Sequence, residues 1–434
     1  MSDDAIDRAL SIRAAAEEHP DRVFLVDDEG ALTFAQAAAA LPQDAAPGPR
    51  VLLATPVRRT VLSMLDALER RTPLVPLHPR WTDAEREGAL ARIAASPRLD
   101  RSHLAVLFTS GTSGTPKGAL LSRRAFVLAA EASAARLGWR DDDRWLLAMP
   151  LAHVGGLSVL VRVLIARRTL VIARPGAFDP HAVLDTIERH RVTLLSLVPT
   201  QLAQLAATVR PVPSSVRAVL LGGAQCPPRV LARGASLGWP LHTTYGLTEM
   251  CAQVSTTGAP VRSAHEGVGE ALDGVEIEIR RGRIHVRSPA RMDGWLDPSL
   301  PDPFDADGFY DTGDLGELDE RGRLHVHVRR DDLVVSGGEN VYPSEVEQAL
   351  CALPGVREAC VVGLPDETWG QRVAAAVVTE GPLDEEALLA ALRARLAGFK
   401  VPRVLARLEA LPTNAVGKLD RAAVRALLAA PRRD

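Results

Sequence analysis

The chain reads as an α/β protein of two unequal lobes. The large N-terminal lobe has layered sheets and helices plus a β-rich part; the small C-terminal lobe is α+β. Three observations predict this. Short aliphatic runs alternate with amphipathic stretches up to Leu221, the signature of parallel strands joined by helices. After Gly267 the pattern changes to period two, the signature of antiparallel ribbons. The 434 residues also exceed one ordinary domain, at roughly 150 residues each.

In the first lobe, Val51–Ala54 reads as a strand, and Thr60–Arg70 as a helix with Val61, Met64, Leu65 and Leu68 on one face. Leu104–Phe108 is a second apolar run, followed by a Gly/Ser/Thr loop and a helix over Arg124–Leu137. A strand near Leu146, a helix from Leu157, a strand Leu170–Ala173, a helix Pro180–His190 and strands Leu194–Val198 and Val216–Leu221 continue the alternation. Val275–Ile279 and Arg283–Arg287 alternate around Arg281-Gly282, which reads as a hairpin. Beyond Asp331 a small unit follows, with Pro343–Leu353 and Glu385–Leu396 helical and Ala359–Gly363 and Val373–Val378 as strands. The expected division is therefore 1–330 and 331–434, with no low-complexity linker and no fixed-period repeat.

Composition excludes several classes. Hydrophobic residues make up 47% and charged residues 24%, which fits neither a disordered nor a fibrous chain. A formal charge of −3 gives no general basic surface for nucleic acid. The stretch Leu157–Ala173 is broken by Arg162, Arg167 and Arg168, so no membrane span is expected. The start, MSDDAIDRAL, is acidic and does not read as a secretory signal. Cys226, Cys251, Cys351 and Cys360 form no Cys-x-x-Cys pair and read as reduced thiols. These features predict a soluble cytoplasmic enzyme and leave homo-oligomerisation open.

The segment Thr109-Ser110-Gly111-Thr112-Ser113-Gly114-Thr115-Pro116-Lys117-Gly118 follows an apolar strand. Glycines expose backbone N–H groups, hydroxyls add donors and Lys117 adds charge, a composition suited to a polyphosphate. It is not a Walker A loop: Pro116 stands where the second glycine belongs, and Gly118 follows the lysine in place of Ser or Thr. A plain surface loop would have a similar composition.

This segment resembles the signature loop of the acyl-adenylate-forming superfamily, which includes acyl- and aryl-CoA ligases, luciferase and peptide-synthetase adenylation domains. Further segments match in the same order along the chain. Gly222-Gly223-Ala224 resembles the family's adenine-side loop. Tyr245-Gly246-Leu247-Thr248-Glu249 resembles the motif whose threonine meets the α-phosphate and whose glutamate helps hold Mg²⁺. Tyr310-Asp311-Thr312-Gly313-Asp314 is similar to the ribose motif, with Asp314 as the ribose carboxylate. Arg329-Arg330-Asp331-Asp332 resembles the hinge, Arg329 meeting nucleotide and Asp331 serving as pivot, although Val328 replaces the usual glycine. Gly337-Gly338 would line the approach of CoA, and Lys418, within Pro412–Lys418, matches the catalytic lysine.

What the resemblance implies is a two-step ligase using ATP, Mg²⁺, CoA and a small carboxylic acid. The carboxylate attacks the α-phosphate to form an acyl-adenylate, and CoA thiol then displaces AMP. Charge gathers on phosphorus, so fixed cations and donors matter more than a nucleophilic side chain. Lys418 would bridge carboxylate and phosphate, and the small lobe would rotate between the two steps. His153, in Pro150–Leu157, matches the histidine that borders the acyl pocket.

Two stretches resemble one branch in particular, the 2-succinylbenzoate–CoA ligases of menaquinone synthesis. One runs from His153 through Gly155-Gly156-Leu157-Ser158 to Arg162; the other is Thr248–Ser255 with Gln253. That acid keeps a second carboxylate that is not activated, so its pocket should carry a cation. Arg162 is the nominee, sharing a helix face with Ser158; a solvated arginine beside Arg167 and Arg168 is the plainer reading. Another small acyl- or aryl-CoA ligase, or an enzyme loading a separate carrier protein, would use the same core motifs.

Overall fold

The computed structural model describes the chain except residues 44–47, 111–115, 175, 177, 225, 227, 264–265, 329–332, 383, 413–419 and 431–434. The chain folds as two compact units. One comprises Met1–Pro79, Ser96–Leu107 and Gly118–Arg329; the other comprises Arg80–Ala95, Phe108–Lys117 and Arg330–Asp434.

The larger unit is built on a nine-stranded sheet. Its central strands Leu241–Leu247, Ala218–Leu221, Leu194–Leu197, Arg144–Leu147, Thr169–Ile172 and Val23–Asp27 run parallel in that spatial order. Antiparallel strands close its edges: Ala252–Thr256 and Glu270–Ala271 on one side, Gly30–Thr33 on the other. Thr169–Ile172, Leu194–Leu197 and Ala218–Leu221 are buried at every residue, which is why their sequences run aliphatic rather than alternating. The helices that cross between them carry their own stops. Pro180–His190 starts on Asp179, whose carboxylate accepts from the N–H groups of His181 and Ala182, and ends on Arg191 in the left-handed region.

A second parallel set, Arg50–Leu53, Leu74–Leu77 and His103–Ser110, belongs to a separate five-stranded sheet. The period-two region forms the expected hairpin, Glu276–Arg280 with Arg283–Arg287, inside a four-stranded antiparallel sheet that also contains Tyr310–Leu318 and Leu324–Val328.

The smaller unit centres on the antiparallel pair Val356–Asp366 and Gly370–Thr379, extended by Val404–Arg407. A short hairpin joins Val334–Ser336 to Glu339–Val341. Its turn residues Gly337 and Gly338 have φ of +60° and +83°, the pattern of a two-residue turn that only glycine adopts freely. A side chain at Gly337 would also strike the Trp369 ring, since a Cβ there would lie 2.6 Å from Cε3. Helices Pro343–Cys351, Glu385–Arg393 and Arg421–Ala429 supply the aliphatic faces that bury this sheet. Among the described residues no helix is long and apolar enough to cross a membrane, and no disulfide forms.

Candidate functional site

In a parallel sheet, loops at the carboxyl ends of the strands gather functional groups. The segments singled out by sequence cluster there in the larger unit. Gly222 and Gly223 follow strand Ala218–Leu221, Tyr245 lies near the end of Leu241–Leu247, and His153 follows strand Arg144–Leu147. Thr248 and Glu249 form a single 3₁₀ turn that ends on Cys251, in the left-handed region at φ +49°. The turn is tight enough that Gly246 tolerates no side chain: a Cβ there would sit 1.7 Å from the Ala252 carbonyl oxygen.

Two long-range hydrogen bonds connect these segments. The Tyr245 hydroxyl donates to Asp314 Oδ2 at 2.6 Å, and the Tyr310 hydroxyl donates to Glu249 Oε1 at 3.0 Å. All four side chains are buried. Each tyrosine fixes one carboxylate by a single oxygen, so the two aromatic–acid pairs hold Glu249 and Asp314 in place. Thr312 stiffens the Asp314 strand: its hydroxyl donates to the Ile284 carbonyl at 2.8 Å and accepts from the Asp314 N–H at 3.1 Å. Glu249 Oε2 has no hydrogen bond among the described residues. A carboxylate oxygen left open in this way suits a hard cation such as the Mg²⁺ that accompanies a nucleoside triphosphate.

The helix Val154–Ile165 begins directly after His153, whose ring centre lies 5.4 Å from that of His78. His78 is buried and had no local motif to announce it. Along this helix Ser158 is buried and turns its hydroxyl back to the Gly155 carbonyl at 3.1 Å. Arg162 is not solvated; it is 4% exposed. Its Nε and Nη2 have no hydrogen-bond partner among the described residues, and its guanidinium carbon lies 5.6 Å from the centre of the Trp145 ring. Burial pulls its pKa down to about 10. The neighbouring Arg167 is buried too, yet it bonds Glu18 at 2.8 Å and the carbonyls of Arg8, Ala9 and Leu164. Arg162 is thus the arginine of this stretch whose charge is left uncompensated. Gln253 shows the complementary feature: its amide nitrogen donates to Thr256 Oγ1 at 2.7 Å, whereas its buried Oε1 has no partner among the described residues.

The AMP-binding enzyme family matches residues 92–295, and the AMP-binding enzyme C-terminal domain matches 345–418. The chain is 40% identical over 330 residues to the 2-succinylbenzoate–CoA ligase of Bacillus licheniformis, covering 73% of this chain and 68% of that protein. The chain belongs to the AMP-binding enzyme family. Among solved structures of this acyl-adenylate-forming family, a double mutant of o-succinylbenzoate CoA synthetase from Bacillus subtilis bound to its product analogue superposes with a TM-score of 0.88. It is 30% identical, over 97% of this chain and 98% of that one. The same Bacillus subtilis enzyme in complex with ATP and magnesium ion gives 0.68 at 29% identity, over 96% and 98%.

The structure places the remaining family positions as follows. Thr109 and Ser110 end the strand His103–Ser110 and Lys117 lies in Pro116–Ser122, while Gly111, Thr112, Ser113, Gly114 and Thr115 lie outside the described residues. Arg329, Asp331 and Lys418 lie outside them as well. Gly337 and Gly338 form the hairpin turn of the smaller unit, where the adjacent Glu339 pairs with Arg80. Ala224 follows the two glycines after strand Ala218–Leu221 and is half-buried. Sequence reading named no role for Tyr310, His78 or Trp145. Tyr310 was at least visible in its pentapeptide; the other two sit in no recognisable motif.

Proposed function

We propose that this chain is an ATP- and Mg²⁺-dependent ligase that converts 2-succinylbenzoate to its CoA thioester through an acyl-adenylate. The observation that carries the choice of acid is Arg162, a buried guanidinium with unmet donors on the helix that starts at His153. A buried unpaired charge costs several kcal/mol, about 3–5 when the partner of a buried ion pair is taken away. A substrate that brings its own second carboxylate would meet that cost. A fatty or simple benzoic acid would leave it unmet. The 2-succinylbenzoate–CoA ligases among the relatives support the same reading.

One carboxylate oxygen of the acid attacks the α-phosphorus and the bond to pyrophosphate breaks. CoA sulfur then adds to the acyl carbon, AMP leaves with the bonding pair, and the thiol proton passes to solvent. Asp314, held by Tyr245, would accept the ribose hydroxyls. Thr248 would donate to the α-phosphate. Glu249, held by Tyr310, would hold Mg²⁺, which supplies charge neutralisation on the phosphate oxygens. His153 would border the acyl group, with Ser158 and Gln253 near Arg162's end of the pocket. Thr109–Lys117 would cradle the β- and γ-phosphates and Gly222–Ala224 would flank the adenine. Lys418 would bridge the reacting oxygens during adenylation, Arg329 would contact nucleotide, Asp331 would act as pivot, and Gly337-Gly338 would face pantetheine. The division at 330/331 would separate a nucleotide- and acyl-binding part from a lid. The cytoplasm is the proposed location, since ATP and CoA are drawn from its pools and the cysteines form no disulfide.

The test is a panel of acids assayed for ATP- and CoA-dependent AMP release. 2-Succinylbenzoate should turn over and its monocarboxylate analogue should be poor. Turnover of medium-chain or benzoic acids with succinylbenzoate inert would overturn the choice of acid, and transfer to a carrier protein in place of CoA would overturn the acceptor.

A further inference from the structure

The opposite end of the central strands of the nine-stranded sheet carries a cavity of about 490 Å³. It opens at the amino ends of the central strands, where Val23, Arg144, Thr169, Thr193 and Arg217 begin or precede them. A strand of four residues spans about 13 Å, so this cavity is a strand's length from the loops described above. Six arginines line it against three aspartates, and Val23 is the single aliphatic wall.

With the exposed Asp142 counted, the three aspartates still leave an excess of three arginines. Asp143 is sealed beneath the floor. Its oxygens accept from Arg217 at 2.6 and 2.8 Å, from the Thr193 hydroxyl at 2.7 Å and from the Arg140 N–H at 2.7 Å. Asp141 is exposed and shared, 3.0 Å from Arg168 and 3.8 Å from Arg22. Exposed pairs of this kind are weak and readily displaced.

Arg144, Arg168 and Arg22 are also oriented by backbone carbonyls, which fix a guanidinium without neutralising it. Arg144 donates to the His190 carbonyl at 3.2 Å, Arg168 to the Arg140 carbonyl at 2.7 Å and Arg22 to the Arg167 carbonyl at 3.1 Å. Arg140, Arg144 and Arg191 have no carboxylate partner among the described residues. Burial and then the charge of Arg22 lower the pKa of Arg168, the mark of like charges crowded together. A pre-oriented set of planar forks binds multivalent oxyanions best. With one small apolar wall, the cavity offers no face for a base or an acyl chain.

We propose that this cavity is a second anion site, for a compact polyanion of the pyrophosphate type. The volume suits two or three phosphoryl groups with their water, within the usual range of about 300–1,000 Å³ for small-molecule sites. The ligand ties together the starts of four central strands and the Ser214–Arg217 segment, so its occupancy raises the unfolding temperature of the larger unit.

The test uses the full chain saturated with a non-hydrolysable ATP analogue at fixed free Mg²⁺, so that any polyphosphate position in the nucleotide site is filled. Pyrophosphate is the probe, followed by calorimetric titration and thermal unfolding; orthophosphate at equal ionic strength is the control. Saturable 1:1 pyrophosphate binding with a raised midpoint is expected. Arg144→Gln combined with Arg191→Asn should weaken it at least about tenfold, the worth of one charge-assisted hydrogen bond. Asparagine tolerates the left-handed conformation at φ +50° that residue 191 adopts. Should that pair fail to fold, Arg140→Gln gives the same readout, because the exposed Arg140 side chain forms no hydrogen bond or ion pair among the described residues. No saturable binding to the parent protein, equal affinity in the variants, or an equal effect of orthophosphate overturns the proposal.

Discussion

The Arg162 guanidinium lies over the Trp145 ring, 5.6 Å from its centre, with Nε and Nη2 unpaired among the described residues. Trp145 is itself anchored, its indole N–H donating to Ser196 Oγ at 3.2 Å. A cation–π contact contributes about 2 kcal/mol when desolvated, too little to offset full burial of the charge. Arg162→Met should therefore hold or raise the unfolding midpoint of the free enzyme. The same change should raise KM for 2-succinylbenzoate by about 10–100-fold through loss of one charge-assisted pair, and leave KM for ATP unaltered. Arg162→Lys should not restore it, since an ammonium cannot present the same fork. Steady-state kinetics with each substrate varied in turn, alongside thermal unfolding, checks both halves.

Tyr245 and Asp314 are 69 residues apart in sequence and joined by a 2.6 Å hydrogen bond. Removing the phenol frees Asp314 to rotate but leaves its charge. Tyr245→Phe should raise KM for ATP by about tenfold, the worth of one hydrogen bond to a charged carboxylate, whereas Asp314→Ala should raise it further. Equal effects of the two changes would mean that Asp314 is structural rather than a ribose ligand. The comparison is made at saturating acid and CoA.

Glu249→Gln keeps an oxygen for the Tyr310 hydroxyl and removes the charge. The expected outcome is a higher Mg²⁺ requirement for adenylate formation, with the unfolding midpoint little changed. Tyr310→Phe should shift the Mg²⁺ titration in the same direction by less. A Mg²⁺ titration unmoved by either change would remove Glu249 from the metal's surroundings.

In the smaller unit, Lys400 is buried between Glu85 at 2.6 Å and Glu345 at 2.7 Å. Burial lowers its pKa, but the two carboxylates outweigh burial and hold it above the ordinary lysine value. A raised pKa of a basic group means stability present below its unfolded value and lost as pH climbs through the folded one. Burial pushes Glu345 up further than Lys400 pulls it down, so that carboxylate adds no acid-side stabilisation. Lys400→Met should cost about 3–5 kcal/mol at neutral pH by stranding two carboxylates. The difference from the parent protein should stay flat up to about pH 10 and narrow above it. Urea unfolding across that range measures it.

Much of this was readable in sequence where chemistry is local. The parallel strands announced themselves because strands buried on both faces must be aliphatic throughout. The Tyr245–Glu249 motif was legible because its turn excludes every side chain at Gly246. Depth was not legible. Arg162, Arg167 and Arg168 look alike in sequence, yet among the described residues one is buried and unpaired, one buried and saturated, and one half-buried beside Asp141. Helical spacing reports which face a residue occupies, not what lies against that face. The Tyr310–Glu249 pair spans 61 residues and leaves no local trace, and neither does the contact of His78 with His153.

The two half-reactions offer the sharpest separation of roles. Adenylation builds charge on phosphorus and needs a cation there; thioester formation from a preformed adenylate needs only an oriented thiol and a leaving AMP. If Lys418 serves the first step alone, Lys418→Ala should abolish acid-dependent exchange of labelled pyrophosphate into ATP. It should leave CoA thioester formation from supplied acyl-adenylate within a few-fold of the parent rate. Loss of the second reaction to the same extent would show that one arrangement of the chain serves both steps, and the proposed rotation about Asp331 would have no work to do.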